Sequence, residues 1–311
     1  ANAYQRILKI DPLHLDAFNH LERLFKDLDN WKTLTDLYLG RYESLGGQLE
    51  VIPEKNKTEI VSLLQRVAVV AEEKLGDREN AFETLAIAFE IDPTNDQTAD
   101  HLERIAALEN TWKELIDMYR HTVKAVDNRL VKCDLLVKMA RWYMDQLDDL
   151  AQATEVLNQA YKLEPNYGRV HLLFAEVHRR NGVVGEYIKS LSKALDVETR
   201  TDVIYKSAME LARTYHKEFG DTTEAIRFYK KAHEALPERE EPLESLEQLY
   251  ESTEKWRELI EILNERVSRS NNDEEIFDLK MKIADIWDDR RELPSRAIDV
   301  VNELLDAYPD N

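Results

Sequence analysis

The feature that most limits what this chain can become is a set of prolines in register. Pro12, Pro93, Pro165, Pro237 and Pro309 are separated by 81, 72, 72 and 72 residues. An apolar residue followed by alanine keeps the same 72-residue step at Val67-Ala68, Met139-Ala140, Leu211-Ala212 and Ile283-Ala284, and so do Ala81, Ala153, Ala225 and Ala297. Trp31, Trp112 and Trp256 each stand 19 residues after a repeat proline, with Val184 in the remaining slot. Separate markers held together over four copies define an internal repeat, and repeats of this kind build stacked arrays in which each copy is held by its neighbours. The repeat divides the chain into units 13–93, 94–165, 166–237 and 238–309. The first unit carries nine extra residues between Trp31 and Val67, around Gly46, Gly47, Pro53 and Asn56.

Within a unit the apolar residues recur at spacings of three and four, the period of a helix with one buried face. The second unit shows it four times: at Ala99, Leu102, Ile105 and Ala106; at Leu115, Ile116, Met118 and Tyr119; at Leu135, Leu136, Met139, Ala140 and Tyr143; and at Ala153, Val156, Leu157, Ala160 and Tyr161. Each repeat proline marks a break, because the residue before it is pushed out of helical geometry. The links are short, so consecutive helices run antiparallel. Glycine and proline number only eight each, too few for an all-β fold. The reading is an all-α chain of about eight antiparallel helix hairpins. Residues 1–12 align with the end of a repeat's last helix, so they are expected to form a truncated N-terminal helix. The final helix, with Ala297, Ile298, Val301, Leu304 and Leu305, shows an apolar stripe with no polar cap after it. We therefore expect a single array cut from a longer one.

The stretch from Leu211 to Pro237, LARTYHKEFGDTTEAIRFYKKAHEALP, resembles one tetratricopeptide repeat (TPR). Leu211, Ala212 and Tyr215 match the first-helix packing positions, Gly220 and Asp221 the turn, and Ala225, Ala232 and Pro237 the second helix and its close. The turn is one residue longer than the usual repeat of about 34 residues. The alternate hairpins, which carry the tryptophans, match less well. They have Glu22, Glu103 and Glu247 where the family has small residues, and Leu34, Leu115 and Leu259 where it has alanine. Those hairpins are expected to pack further apart or to cross at a different angle, whereas the third unit's, with Ala175, Gly182 and Ala194, should be ordinary. The resemblance implies a right-handed superhelical α-solenoid.

Motifs for chemistry are missing: the sequence has no HExxH, no GxxxxGK, no GxGxxG and no GxSxG. Acidic pairs such as Asp148-Asp149 and Asp288-Asp289 read as solvated loop or helix-terminus charge. His171 and His178 lack the further ligands of a zinc site. His20 and His101 are repeat-equivalent, which points to a shared packing role. The single cysteine, Cys133, has no identifiable activating partner and reads as a packed thiol. Trp31, Trp112 and Trp256 are expected to wedge between hairpins, with a ligand-stacking platform the weaker reading. No enzyme activity, cofactor or metal is expected.

Acidic residues outnumber basic ones 62 to 42, for a formal charge of −20. That balance disfavours direct contact with nucleic acid and with anionic membranes. No apolar run is long enough to span a bilayer and no signal peptide is visible. The compartment is open, with a cytoplasmic location the expectation, and so is the oligomeric state.

The resemblance further implies that the first helix of each hairpin lines a concave groove where a protein or peptide docks. Carried over position by position, the groove residues are Asn19, Arg23, Lys26, Arg104, Arg141, Met144, Arg179, Lys206, Met209, Arg213, Glu244, Gln248, Glu251, Met281 and Asp285. The lysine and asparagine pattern with which TPR co-chaperones grip a C-terminal carboxylate is missing. Arg23, Arg104, Arg141 and Arg213 recur at one slot, where arginine either meets a ligand or bridges helices. The third unit holds 10 acidic and 12 basic residues and the fourth 21 and 10, so the fourth is the place for a basic segment of a partner. The function expected is a non-catalytic protein-interaction scaffold. The alternatives are a regulatory or sensor region of a larger multidomain enzyme and an RNA-processing scaffold of the half-a-TPR type.

Overall fold

A computed structural model describes residues 1–49 and 51–308, so Pro309, the last repeat proline, lies outside the described residues. The chain divides into two compact units, Ala1–Pro165 and Asn166–Asn311, at one of the repeat boundaries. Among the described residues there are seventeen α-helices and no strand. In the first compact unit a lone helix α1 (Asn2–Ile10) precedes the hairpins α2/α3 (Leu15–Asp27, Trp31–Ser44), α4/α5 (Glu54–Leu75, Arg78–Ile91), α6/α7 (Asp96–Glu109, Trp112–Ala125) and α8/α9 (Arg129–Asp145, Leu150–Leu163). The second holds α10/α11 (Gly168–Arg180, Val184–Val197), α12/α13 (Thr201–Thr214, Thr222–Ala235), α14/α15 (Glu241–Ser252, Trp256–Arg269) and α16/α17 (Asp273–Asp285, Pro294–Ala307). Every 72-residue repeat thus holds four helices, as its periodicity predicts. Asn30, Asp77, Asn95, Asn128, Asp149, Asp221 and Asn272 open their helices by accepting backbone N–H groups on their side chains.

The hairpin turns show the repeat again, in backbone form. Each of the eight places one residue at positive φ: Asp29, Gly76, Asn110, Asp148, Gly182, Gly220, Glu254 and Glu292. After a first interval of 47, these fall alternately 34 and 38 residues apart. The left-handed residue reverses the chain and lets the turn cap the helix before it. In the α4/α5, α8/α9 and α12/α13 turns the aspartate that follows also accepts from the first turn of the next helix. The extra residue of the α12/α13 turn is absorbed in a π-helical turn, Tyr215–Phe219, and the α16/α17 hairpin repeats the device at Ile286–Arg290.

Side-chain size at the crossing decides how closely each hairpin closes. In α4/α5, α8/α9, α10/α11 and α12/α13 the two helices run close along much of their length. Their facing residues are buried alanines: Ala68, Ala81 and Ala88; Ala140, Ala153 and Ala160; Ala175 and Ala194; Ala212, Ala225 and Ala232. In α2/α3, α6/α7 and α14/α15 the close stretch is short. There the buried pairs are Leu21 with Leu34, Leu102 with Leu115, and Leu246 with Leu259. The α10/α11 hairpin belongs with the close ones, as Ala175 and Ala194 predict.

The tryptophans fill the space this leaves. Trp112 is buried and tilts against Trp142 of α8, ring centres 6.2 Å apart. Trp31 lies under Lys74 at the end of α4 (5.1 Å), and Trp256 under Arg290 beyond α16 (5.4 Å). All three therefore wedge between their own hairpin and the next. Part of the insertion lengthens α4 to 22 residues, and the residues that follow α3 form a hydrogen-bonded turn. The Tyr42 hydroxyl donates to the Gly47 carbonyl at 2.7 Å and the Asn56 side chain to that of Leu45 at 2.7 Å. A Cβ on Gly47 would stand 2.2 Å from the Tyr42 ring.

Two outcomes follow for stability. Glu254 and Glu292 hold left-handed backbone with a full side chain, so Glu254→Gly and Glu292→Gly should each raise unfolding free energy by about 0.5–1 kcal/mol in urea titrations. Ala140 has no room to grow, and Ala140→Leu should cost about 1–3 kcal/mol in the same measurement.

Candidate functional site

In each compact unit the first helices of successive hairpins form one face, tied across by polar side chains. Between α4 and α6, the Gln65 amide donates to Asn95 Oδ1 and Thr98 Oγ1, both at 2.9 Å. Seven residues on, Glu72 accepts from His101 Nε2 and Arg104 Nη1, both at 2.7 Å. Glu72 is nearly buried, and the Arg104 guanidinium holds its carboxyl down to about 2 against the opposing effect of burial. Between α12 and α14, Arg213 pairs with Glu241, which also accepts from the Tyr205 hydroxyl at 3.3 Å.

The glutamates that replace small residues belong to the same system. Glu22 of α2 accepts from Tyr38 of α3 and Lys26 at 2.8 Å each, and from Arg66 of α4 at 3.3 Å. Glu103 of α6 accepts the Trp142 indole N–H at 3.0 Å. Glu247 of α14 binds Arg266 of α15 at 2.5 Å and Lys282 of α16 at 2.9 Å. Each reaches from its own first helix to the next one. Burial pushes the Glu22 carboxyl up, but the hydrogen bonds from Lys26 and Tyr38 outweigh it and leave it lowered. From sequence these three positions read only as departures from a family pattern. The signal that would have found them is the register itself: a charged residue kept at one slot in three of four units implies a fixed partner, and the unit without it has Ala175.

The fifteen residues expected to line a groove fall into three sets. Met144 and Met209 are corrections: both are buried, with 3% and 2% of their surface exposed, and so offer a partner almost no surface. A second set is engaged within the protein. Arg104 and Arg213 bridge neighbouring helices as above; Lys26 is held by Glu22; Arg179 forks onto Glu176 of its own helix at 2.8 Å; Glu251 takes Lys282 at 2.8 Å; Arg23 stands 3.9 Å from Asp27. Among the described residues the rest make no such tie. Asn19, Arg141, Lys206, Glu244, Gln248 and Asp285 are exposed, and Met281 is half-buried. The repeated arginine slot therefore has no uniform role: two members bridge helices, Arg23 turns along its own, and Arg141 projects.

The other chemical side chains are absorbed by packing. Cys133 is fully buried, its thiol pointing at the Ala160 carbonyl (3.6 Å) and pushed up to about 11, first of all by burial. The equivalent histidines do not share a role: His20 stacks on Tyr4 with ring centres 4.7 Å apart, while His101 binds Glu72. Among the described residues no three His, Cys, Asp or Glu side chains converge as metal ligands, and no helix is long and apolar enough to cross a membrane.

Residues 207–242, from the middle of α12 into α14, match the family model of the tetratricopeptide repeat. Among the described residues the chain is an all-helical array of repeated hairpins, one stretch of which matches that family. No curated protein matches it in sequence. Among solved structures, the C-terminal part of a TPR repeat-containing protein from Cytophaga hutchinsonii aligns over 79% of this chain and 92% of its own, with a TM-score of 0.50 at 11% identity. PilW, a type IV pilus biogenesis factor, covers 67% of this chain and 92% of its own at 14% identity and a TM-score of 0.39. YrrB, a TPR protein with an unusual peptide-binding site, covers 61% and 94% at 16% identity and a TM-score of 0.36. The Cytophaga structure shares the fold, an α-solenoid. Two of this solenoid's departures from the ordinary TPR pattern are now accounted for: leucine opens alternate hairpins, and glutamate ties those hairpins to the next.

The Glu72 cluster should make the fold sensitive to acid. A depressed carboxylate stabilises the fold above its unfolded pKa, and that contribution is lost as pH falls toward the folded value. Glu72→Gln should cost about 1–2 kcal/mol near neutral pH, Arg104 being half exposed and partly screened. The difference from the wild type should shrink between the ordinary glutamate range and pH about 2, as followed by urea unfolding at a series of pH values.

Proposed function

We propose that the chain is a non-catalytic protein-interaction scaffold that engages a protein or peptide along the first-helix faces of its two compact units, each taken by itself. The observation that supports this best is the contrast among the cations of those faces. Most are held by carboxylates of the same or a neighbouring helix, whereas Arg141 and Lys206 are exposed and make no ion pair among the described residues. Arg141 stands on α8 directly before buried Trp142, Tyr143 and Met144, so its base is rigid while its guanidinium is open. A guanidinium so placed can fork onto a carboxylate or cap backbone carbonyls of a docked chain. Stacked helices offer extended area, which suits a protein-sized contact.

The fourth repeat adds the acidic counterpart. Glu244 and Asp285 are exposed and make no ion pair among the described residues, while Glu251 is already matched by Lys282. A basic segment of the partner would meet Glu244 and Asp285, and its affinity would fall with salt. The test is to isolate a partner on the immobilised chain and remeasure its binding to two variants. Arg141→Glu with Lys206→Glu should weaken it about tenfold or more, and Glu244→Lys with Asp285→Lys should flatten its salt dependence. A partner that binds both variants as it binds the wild type would reject the reading.

A further inference from the structure

The second-helix side of the first compact unit carries a surface of its own. Buried Leu102 and Leu115 occupy the α6/α7 crossing, and α7 meets α5 at the Phe89–Tyr119 stack, ring centres 4.5 Å apart. Two depressions lie where these helices diverge. One, of about 690 Å³, is formed by Phe82, Glu79 and Glu83 of α5 with Ile105, Glu109 and Glu114 of α6 and α7. The other, of about 510 Å³, lies at the far ends of α5 and α7, between Ile91, Val126 and Val131. Between them α5 presents Ile87, 45% exposed, and the buried Phe89–Tyr119 stack lies beneath. The apolar floors are about 14 Å apart, from the helical rise between Phe82 and Ile91.

The rim of this furrow is acidic beyond what helix termini explain. Glu79 and Glu114 sit in the first turns of α5 and α7, where the helix dipole favours them. Glu83 and Glu90 do not; they stand in the middle and last turns of α5, both exposed. The one arginine of the rim, Arg78, is taken by Glu109 at 2.7 Å, and the one histidine, His121, stands 3.6 Å from Glu90. Lys113 and Lys124 of α7 do not line either depression. The equivalent furrow one repeat earlier, between α1 and α3, has the same two depressions, yet Arg6 and Lys9 line it beside Asp36. The shape therefore comes from the open hairpin, and the negative charge belongs to α5/α7 alone of the two.

We infer that the α5/α7 furrow is a docking site for a basic amphipathic peptide segment, one that sets apolar side chains into the two depressions and lysine or arginine against Glu83 and Glu90. It is separate from the first-helix face and does not depend on that face binding anything.

The probe is a short synthetic amphipathic peptide of leucine and lysine, with its leucine–glutamate counterpart as control, titrated onto the full chain. The leucine–lysine peptide should bind and the counterpart should not. Glu83→Lys with Glu90→Lys should weaken binding about tenfold or more. Asp196→Lys with Glu234→Lys, an equal change of charge on exposed sites of α11 and α13, should leave it within about twofold. Hydrogen exchange on the unmutated chain gives an independent readout, with protection expected in 78–91 and 112–131. Equal weakening by both charge variants, binding of the leucine–glutamate peptide, or protection confined to other helices would each overturn the assignment.

Discussion

How near two helices of a hairpin can come is set by the side chains at their crossing, and the rest of this structure follows from that distance. Alanine on both sides lets backbones approach until the surrounding apolar residues interlock, which is the close-packed limit. Leucine on both sides buries more apolar surface per residue but holds the axes apart. The chain alternates the two solutions within each repeat, except in the third unit. The open hairpins cannot seal themselves, and tryptophan and glutamate supply what their own helices lack: an aromatic wedge at one end and a carboxylate bridge to the next first helix. A carboxylate on the inner face would be a liability if left unpaired. Here each one is matched by cations or hydroxyl and indole donors from a neighbouring helix, so the polar bridge and the loose crossing are two parts of one arrangement.

Most of the fold was legible because its causes are local and repeated. The prolines, the apolar periods and the alanine slots each depend on a few neighbouring residues, and four copies make the pattern hard to mistake. The prediction that leucine at Leu34, Leu115 and Leu259 opens the hairpins is steric and needs no partner to be known. The π-helical turn was half legible: one surplus residue before Gly220 was countable, but whether a turn lengthens or a helix widens is settled by how Tyr215 stacks on Phe228. Five of the eight left-handed turn positions are not glycine, and glutamate at Glu254 and Glu292 carries no sequence cue for that backbone.

The candidate site was less legible, for a physical reason. Which way a helical side chain points depends on the rotation of its helix about its own axis, and a shift of one position in a family pattern is worth a large fraction of that rotation. Met144 and Met209 were placed on the surface by such an alignment and lie in the core. Ion pairs are a second obstacle. Arg104 and Arg141 are indistinguishable by position, yet Glu72 lies within reach of the first, whereas the second makes no ion pair among the described residues. Only three-dimensional neighbours separate a bridging arginine from one available to a ligand. His20 and His101 teach the same lesson, since the residue facing each comes from a different helix of the preceding repeat.

The distribution of paired and unpaired charge bears on where recognition can occur. A charge already held in a hydrogen-bonded pair offers a partner little, because breaking the pair costs what the new contact returns. On the first-helix faces this leaves Arg141 in the first compact unit and Lys206, Glu244 and Asp285 in the second. Recognition there would have to be of modest density. The α5/α7 furrow is the opposite case: charge and apolar floor lie within one pair of helices, and Glu83 of its rim pairs with no cation among the described residues. The same loose crossing that obliges Glu103 to bridge inward opens the furrow outward.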